Sequence, residues 1–186
     1  MVLAQIILAT FLVSMISLVG IFTLSLQGKL LHKLVFGFIG FSAGALIGGS
    51  FLHILPEALE TTDHIRVFYL VIAGIVFFFL MERYLHWRHC HEDGTCEVHA
   101  FTYLNLIGDS FHNFVDGMLI AASFLVSARL GVVTTLAVML HEIPQELGDF
   151  GVLIYGGFSK QKALFFNFLS ACTAILGAIL VYFLSD

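Results

Sequence analysis

Two short stretches carry most of the residues that could do chemistry. HNFVDG, residues 112–117, places His112, Asn113 and Asp116 close together. HEIPQELGDF, residues 141–150, adds His141, Glu142, Gln145, Glu146 and Asp149. His112 and Asp116 are four residues apart and Asn113 and Asp116 three apart, with Asp109 one turn before His112. On a helix these residues share one face. In the second stretch His141 and Gln145 are four apart, as are Glu142 and Glu146, and Asp149 continues that side. Two such helices packed together would gather imidazoles, carboxylates and side-chain amides. That mixture is a metal-ligand set. Imidazole with carboxylate suits Zn, Fe and Mn, and amide oxygens accept the same ions. Neither stretch holds a thiol, which argues for a site that can release its ion. Several carboxylates also neutralise a dication in a low dielectric, where either charge alone is costly.

The elements that carry these motifs belong to a membrane. Of 186 residues, 59% are hydrophobic and 11% charged, and the mean hydropathy is +0.99. A soluble domain carries about 25% charged residues, so the chain has too little polar surface to wet a globule and reads as an integral membrane protein. The net charge of -5 has little weight when most of the chain never meets bulk water, and no basic nucleic-acid patch is present. Residues 1–28 lack the charged n-region and cleavage site of a signal peptide, so a retained helix is expected there.

About 20 apolar residues cross a bilayer as a helix. Six spans are expected: 2–26, 34–56, 67–85, 100–126, 130–156 and 163–184. The fold class is therefore an all-α polytopic membrane helix bundle, with residues 1–186 forming one domain. Span two is Gly-rich, which lets a neighbouring backbone approach closely. Lys29, Lys33, Arg83, Arg88, Lys160 and Lys162 fall on one side of such a bundle, against Arg66 and Arg129 on the other. The positive-inside rule places the first set in the cytoplasm and the N-terminus outside.

Ionisable groups at bilayer depth mark function by default. Pro144 removes a backbone hydrogen bond inside span five and frees a carbonyl near position 140 as a ligand or water contact. A bland alternative is that the polar residues only hold two helices together; at least four in each helix is more than that needs. A second alternative is an intramembrane zinc metalloprotease using His141 and Glu142, since HEIPQ is one substitution from H-E-x-x-H. Gln145 is a poor ligand for that purpose, and Pro144 disfavours the straight helix. Haem ligation, a third alternative, needs an apolar pocket rather than a carboxylate cluster.

HNFVDG followed by HEIPQELGDF resembles the paired metal-binding helices of the ZIP family of zinc and iron transporters, and the second motif resembles the LIV-1 subfamily pattern HExPHExGD. FLHILPEAL in span two and ALFFNFLSACTAILGAIL in span six are similar to that family as well. The resemblance covers the chain from about residue 34 onward. It implies movement of a divalent metal into the cytosol, through a two-metal site between spans four and five. The cargo it implies is Zn2+, with Fe2+, Mn2+ and Cd2+ as alternatives that the ligand types do not separate; no resident cofactor and no enzyme activity is expected. His112, Asp116, His141 and Gln145 would line one metal position. Asn113, Asp116, Glu142 and Gln145 would line the second, with Asn167 nearby and Asp116 bridging. Gln145 stands where the subfamily pattern has His. Family members usually have eight spans, so a C-terminal truncation or completion by oligomerisation, such as a homodimer, is the expectation for six.

The segment HWRHCHEDGTCEVH, residues 86–99, holds His86, His89, Cys90, His91, Cys96 and His99. Such tracts read as metal binding by composition. The segment is expected as a cytoplasmic loop, where thiols stay reduced, with a metal-receiving or regulatory role. It lacks C-x2-C spacing, and no disulfide framework is implied. Cys172 lies in apolar sequence and is expected to pack.

Overall fold

The structure is a computed structural model that describes residues 2–21, 33, 36–37, 40–41, 43–44, 47–89 and 98–185. Every regular element among them is helical. Helix α1 (Val2–Ser14) runs straight into a 3-10 stretch, Met15–Gly20. Hydroxyls explain the tightening. Thr10 donates to Ile6 O at 2.9 Å, Ser14 to Thr10 O at 3.0 Å and Ser17 to Ser14 O at 2.8 Å. Such back-bonding competes with the regular ladder and bends helices. Ser14 also donates to Ala171 O at 2.8 Å, tying α1 to the C-terminal helices.

Of the expected second span, 34–56, residues 34–35, 38–39, 42 and 45–46 lie outside the described residues. Its end is visible as one π turn, Ser50–Ile54, leading into α2 (Leu55–Thr61). Pro56 cannot donate to the preceding turn, and the widened turn sits directly before it. The helix therefore continues past the expected boundary at 56. Helix α3 (His64–His89) likewise outruns its expected end at 85, because no Gly or Pro interrupts the sequence there. The backbone of residues 86–89, expected as loop, is helical. Residues 90–97 of that loop lie outside the described residues. α3 exposes apolar side chains along its length, Ile65, Leu70, Ile75 and Phe79 among them.

Helices α4 (Ala100–Val126) and α5 (Ala128–Tyr155) form an antiparallel pair joined by Ser127 alone. Ser127 is extended, with φ -163° and ψ 149°, and its side chain accepts from Leu130 N at 3.1 Å. One serine thus ends one helix and caps the next. At the far end His99 N donates to Gly156 O at 2.9 Å and Thr102 Oγ1 to the same carbonyl at 3.1 Å. Both helices are long enough to cross a bilayer: 27 and 28 residues at 1.5 Å each reach about 40 Å. By length and apolar composition together, Val2–Gly20, His64–Tyr84 and Lys160–Leu184 qualify among the described residues. α4 and α5 differ from these because they carry the polar motifs.

The expected sixth span is two helices, α6 (Lys160–Ala171) and α7 (Thr173–Leu184), broken at Cys172. Thr173 Oγ1 donates to Ser170 O and to Ser110 O of α4, both at 2.6 Å. A hydroxyl inserted at the break fixes the kink. α4 packs most extensively on α7 and α5, and α1 with its 3-10 extension covers α5 and α7. The α4–α7 crossing is close because Gly117 faces the Ala174 backbone and Gly177 faces that of Phe114. Beside it, Ile6, Ala9, Val13, Ile120, Ala121, Phe124, Val138 and Ala178 form one apolar core cluster. Lipid is as apolar as these side chains, so van der Waals fit rather than exclusion from water holds this cluster.

Candidate metal centre

The α4–α7 crossing fixes the rotation of α4, and the Ser127 turn fixes the pairing of α4 with α5. Together they aim the two polar motifs at each other. His112, Asp116, His141 and Glu142 converge so that one ligand atom from each lies within 4.8 Å of all the others. The two Nε2 atoms are 3.3 Å apart, with ring planes at 85°. Asp116 Oδ2 lies 3.0 Å from His141 Nε2 and 3.7 Å from His112 Nε2. Glu142 Oε1 lies 3.4 Å from His112 Nε2 and 3.6 Å from His141 Nε2.

The carboxylates form the floor of this cluster and the imidazoles its lip. The side chains of Asp116 and Glu142 are 6% and 1% exposed, those of His112 and His141 33% and 45%. Asp116 Oδ2 and both Glu142 oxygens have no hydrogen-bond partner. His141 Nδ1 faces its own helix, 3.3 Å from Ala137 O. The other ring nitrogen, Nε2, faces the cluster.

The amides are placed differently. Asn113 Nδ2 donates to Asp109 O at 3.2 Å and to Asp109 Oδ1 at 2.9 Å. Asn167, on α6, donates to Glu146 Oε2 and, at 3.4 Å, to Glu146 O. Gln145 is buried one turn beyond His141. Glu142 is the α5 carboxylate that joins the histidine pair.

The polar column is longer than the candidate ligand set. Asp109, Glu146 and Asp149 are buried too. Ser170 donates to Asp109 Oδ2, and Asn105 to Asp149 Oδ1 at 3.1 Å. The signals for Asn105 and Ser170 were spacing alone: Asn105 is four residues before Asp109, and Ser170 three after Asn167. Asp109, Asp116, Glu142, Glu146 and Asp149 are thus buried together, and no Lys or Arg is buried among the described residues. Uncompensated buried charge is costly. Clustered carboxylates with no cationic side chain buried beside them fit a cation.

A family model described as ZIP zinc transporter matches residues 2–97 and 87–186. Zinc transporter zipt-7.1 of Caenorhabditis briggsae is 32% identical, over 80% of this chain and 53% of that protein. Zinc transporter ZIP13 of Pongo abelii is 37% identical, over 75% of this chain and 45% of that protein. IAA-alanine resistance protein 1 of Arabidopsis thaliana is 51% identical over a shorter stretch, 44% of this chain and 18% of that protein. The chain spans about half the length of the first two relatives. No solved structure matches. A family match across almost the whole sequence, on a helical bundle with paired polar motifs at its centre, means that the chain belongs to the ZIP zinc transporter family.

Proposed function

We propose that this integral membrane protein moves a divalent cation, zinc above others, across the membrane into the cytosol through the cluster between α4 and α5. The observation that carries the reading is the convergence of His112, Asp116, His141 and Glu142 on two helices of membrane-crossing length. Two carboxylates balance the charge of a dication, and two imidazoles add the borderline-soft nitrogen that zinc prefers over magnesium or calcium. The ion is cargo. The cluster contains no thiolate, and its histidines are partly exposed, so an ion held there retains a way out.

A two-ion arrangement extends the same reading. Asp116 and Glu142 would bridge, because Glu142 has both oxygens free and Asp116 one. Direction into the cytosol follows the family resemblance, with the N-terminus outside and the 86–99 loop inside from the cation asymmetry. The relatives are named zinc transporters, which favours zinc over Fe2+, Mn2+ and Cd2+. A homodimer is the proposed assembly.

The test is radioactive zinc uptake by cells expressing the chain. Asp116→Ala abolishes uptake while inserted protein stays at the wild-type level, and Asp63→Ala, at an exposed position outside the helices, leaves uptake unchanged. Normal uptake by Asp116→Ala would sink the assignment. Zinc-dependent cleavage of a membrane substrate by purified protein, lost in Glu142→Gln, would replace transport with proteolysis.

A further inference from the structure

Cys172 breaks the last span at its midpoint, as far in sequence from Lys160 as from Leu184. At 1.5 Å per residue that is about 18 Å from either end, near the centre of a hydrocarbon layer about 30 Å thick. The carbonyls at the break have donors within the protein. Ser170 O accepts from Thr173 Oγ1 at 2.6 Å, Ala171 O from Ser14 Oγ at 2.8 Å and Cys172 O from Ile175 N at 3.1 Å. The hydroxyls nearby are used in the same way: Ser110 donates to Leu106 O at 2.6 Å, and Ser170 donates to Asp109. What the kink leaves over is space. A cavity of about 470 Å3 lies between α4, α6 and α7, walled by Leu106, Ser110, Phe166, Leu169, Cys172 and Leu176 among others.

We propose that this cavity holds one acyl chain of a membrane phospholipid. Its size falls in the range of about 300–1,000 Å3 typical of small-ligand pockets. None of its walls is charged, and the Ser110, Ser170 and Thr173 hydroxyl protons are already donated within the protein. Nothing there is left to hold a polar ligand, and a lipid headgroup stays at the membrane surface. An apolar cavity stays dry and takes apolar molecules, whereas an empty one forfeits the dispersion contacts of its walls. The mouth is continuous with the surface that meets the bilayer. Phe165, Leu169, Leu176, Leu180 and Phe183, spaced by four, seven, four and three residues, form one exposed apolar stripe along α6 and α7. A hydrocarbon chain lying along that stripe enters the cavity where the helix bends. A thin, flexible chain follows such a bend; a straight helix packed on the stripe would bridge it and leave the space beneath unfilled. Ser170 stands between the cavity and the polar column, so the occupant backs the residue that donates to Asp109. The inference requires only that the protein spans a membrane, and it holds whichever ion the protein moves.

The probe is phosphatidylcholine carrying a photoreactive diazirine at the end of one acyl chain. The full chain is reconstituted into phosphatidylcholine vesicles that contain a small fraction of this lipid, irradiated and digested, and adducts are located by mass spectrometry. The comparison surface is α3 over residues 70–79, where Leu70, Ile75 and Phe79 are exposed as fully as the α6–α7 stripe and lie at similar depth. Wild type is expected to carry severalfold more adduct over residues 166–176 than over residues 70–79. Cys172→Phe, which fills the cavity from its own wall, brings the two to the same level. Native mass spectrometry of wild type released from the vesicles into mild detergent is expected to show one phospholipid retained per chain. The wild-type comparison and this count decide the matter even if the variant does not fold. Equal labelling of the two surfaces in wild type overturns the site, as does labelling unchanged in Cys172→Phe or a chain released free of lipid. Adducts absent from residues 166–176 because a second copy of the chain covers them, seen as cross-links between copies, overturn it in favour of a protein contact.

Discussion

Replacing Gly117 by alanine tests whether the helix crossing, and not the ligand residues alone, builds the centre. A Cβ at Gly117 would lie 1.8 Å from Ala174 O and 2.6 Å from its carbonyl carbon. Both atoms belong to backbone, so no rotamer change relieves the clash. Restoring an ordinary contact of 3.4 Å requires α4 and α7 to separate by about 1.6 Å at this point. Gly117 follows Asp116 directly, so the displacement is passed to a carboxylate that sits 3.0 Å from His141. Misplacement by about 1 Å at a functional centre costs on the order of 100-fold in rate, and overpacking adds about 1–3 kcal/mol of destabilisation. Zinc uptake, normalised to inserted protein, is expected to fall by about that factor. Gly177→Ala repeats the clash from the other helix, 1.9 Å from Phe114 O, and gives the same loss. Gly108→Ala is the control. It lies on α4 as well, but its nearest neighbour would be Phe78 Cε1 at 4.0 Å, and uptake stays at the wild-type level. Wild-type uptake by Gly117→Ala refutes the argument, and so does equal loss in Gly108→Ala.

Gln145→His places an imidazole one turn from His141 and tightens zinc binding by roughly tenfold or more; isothermal titration measures it, and an unchanged constant means that position 145 does not face the ion. Replacing His86, His89, His91 and His99 with Ser leaves zinc entry detectable but alters its slowing at high external metal. Complete loss of entry would make that segment part of the path, and identical time courses would make it a plain connector. Ser14→Ala removes the hydroxyl that bridges α1 to Ala171 O and costs about 0.6 kcal/mol, the usual value of an interhelical hydrogen bond in a membrane; thermal unfolding in detergent reads it, and a cost of several kcal/mol would mean that the hydroxyl also holds the 3-10 stretch in place.

What the sequence made legible follows from how local each cause is. α4 and α5 appear almost at their expected limits, since Ser127 ends one helix and caps the next by contacts within four residues. The break at Cys172 was not legible. It depends on Thr173 reaching Ser110 on another helix, and the sequence around it is uniformly apolar. The same distinction runs through the centre. Spacing of three and four residues gathered His112 with Asp116 and gave α5 its polar stripe. It left open which side of that stripe meets α4. That choice is made by Gly117 and Gly177, on α4 and α7, which set the depth and rotation of α4. The outcome brings Glu142 to the histidines and turns Asn113 and Asn167 toward Asp109 and Glu146. Asp109, Glu146 and Asp149 lay on the right faces from the start. Only packing shows that their donors satisfy one oxygen of Glu146 and of Asp149 and leave the other over. Ligand types are thus written in the motifs, while the order in which a passing ion would meet them is written in the small residues of the helix crossings.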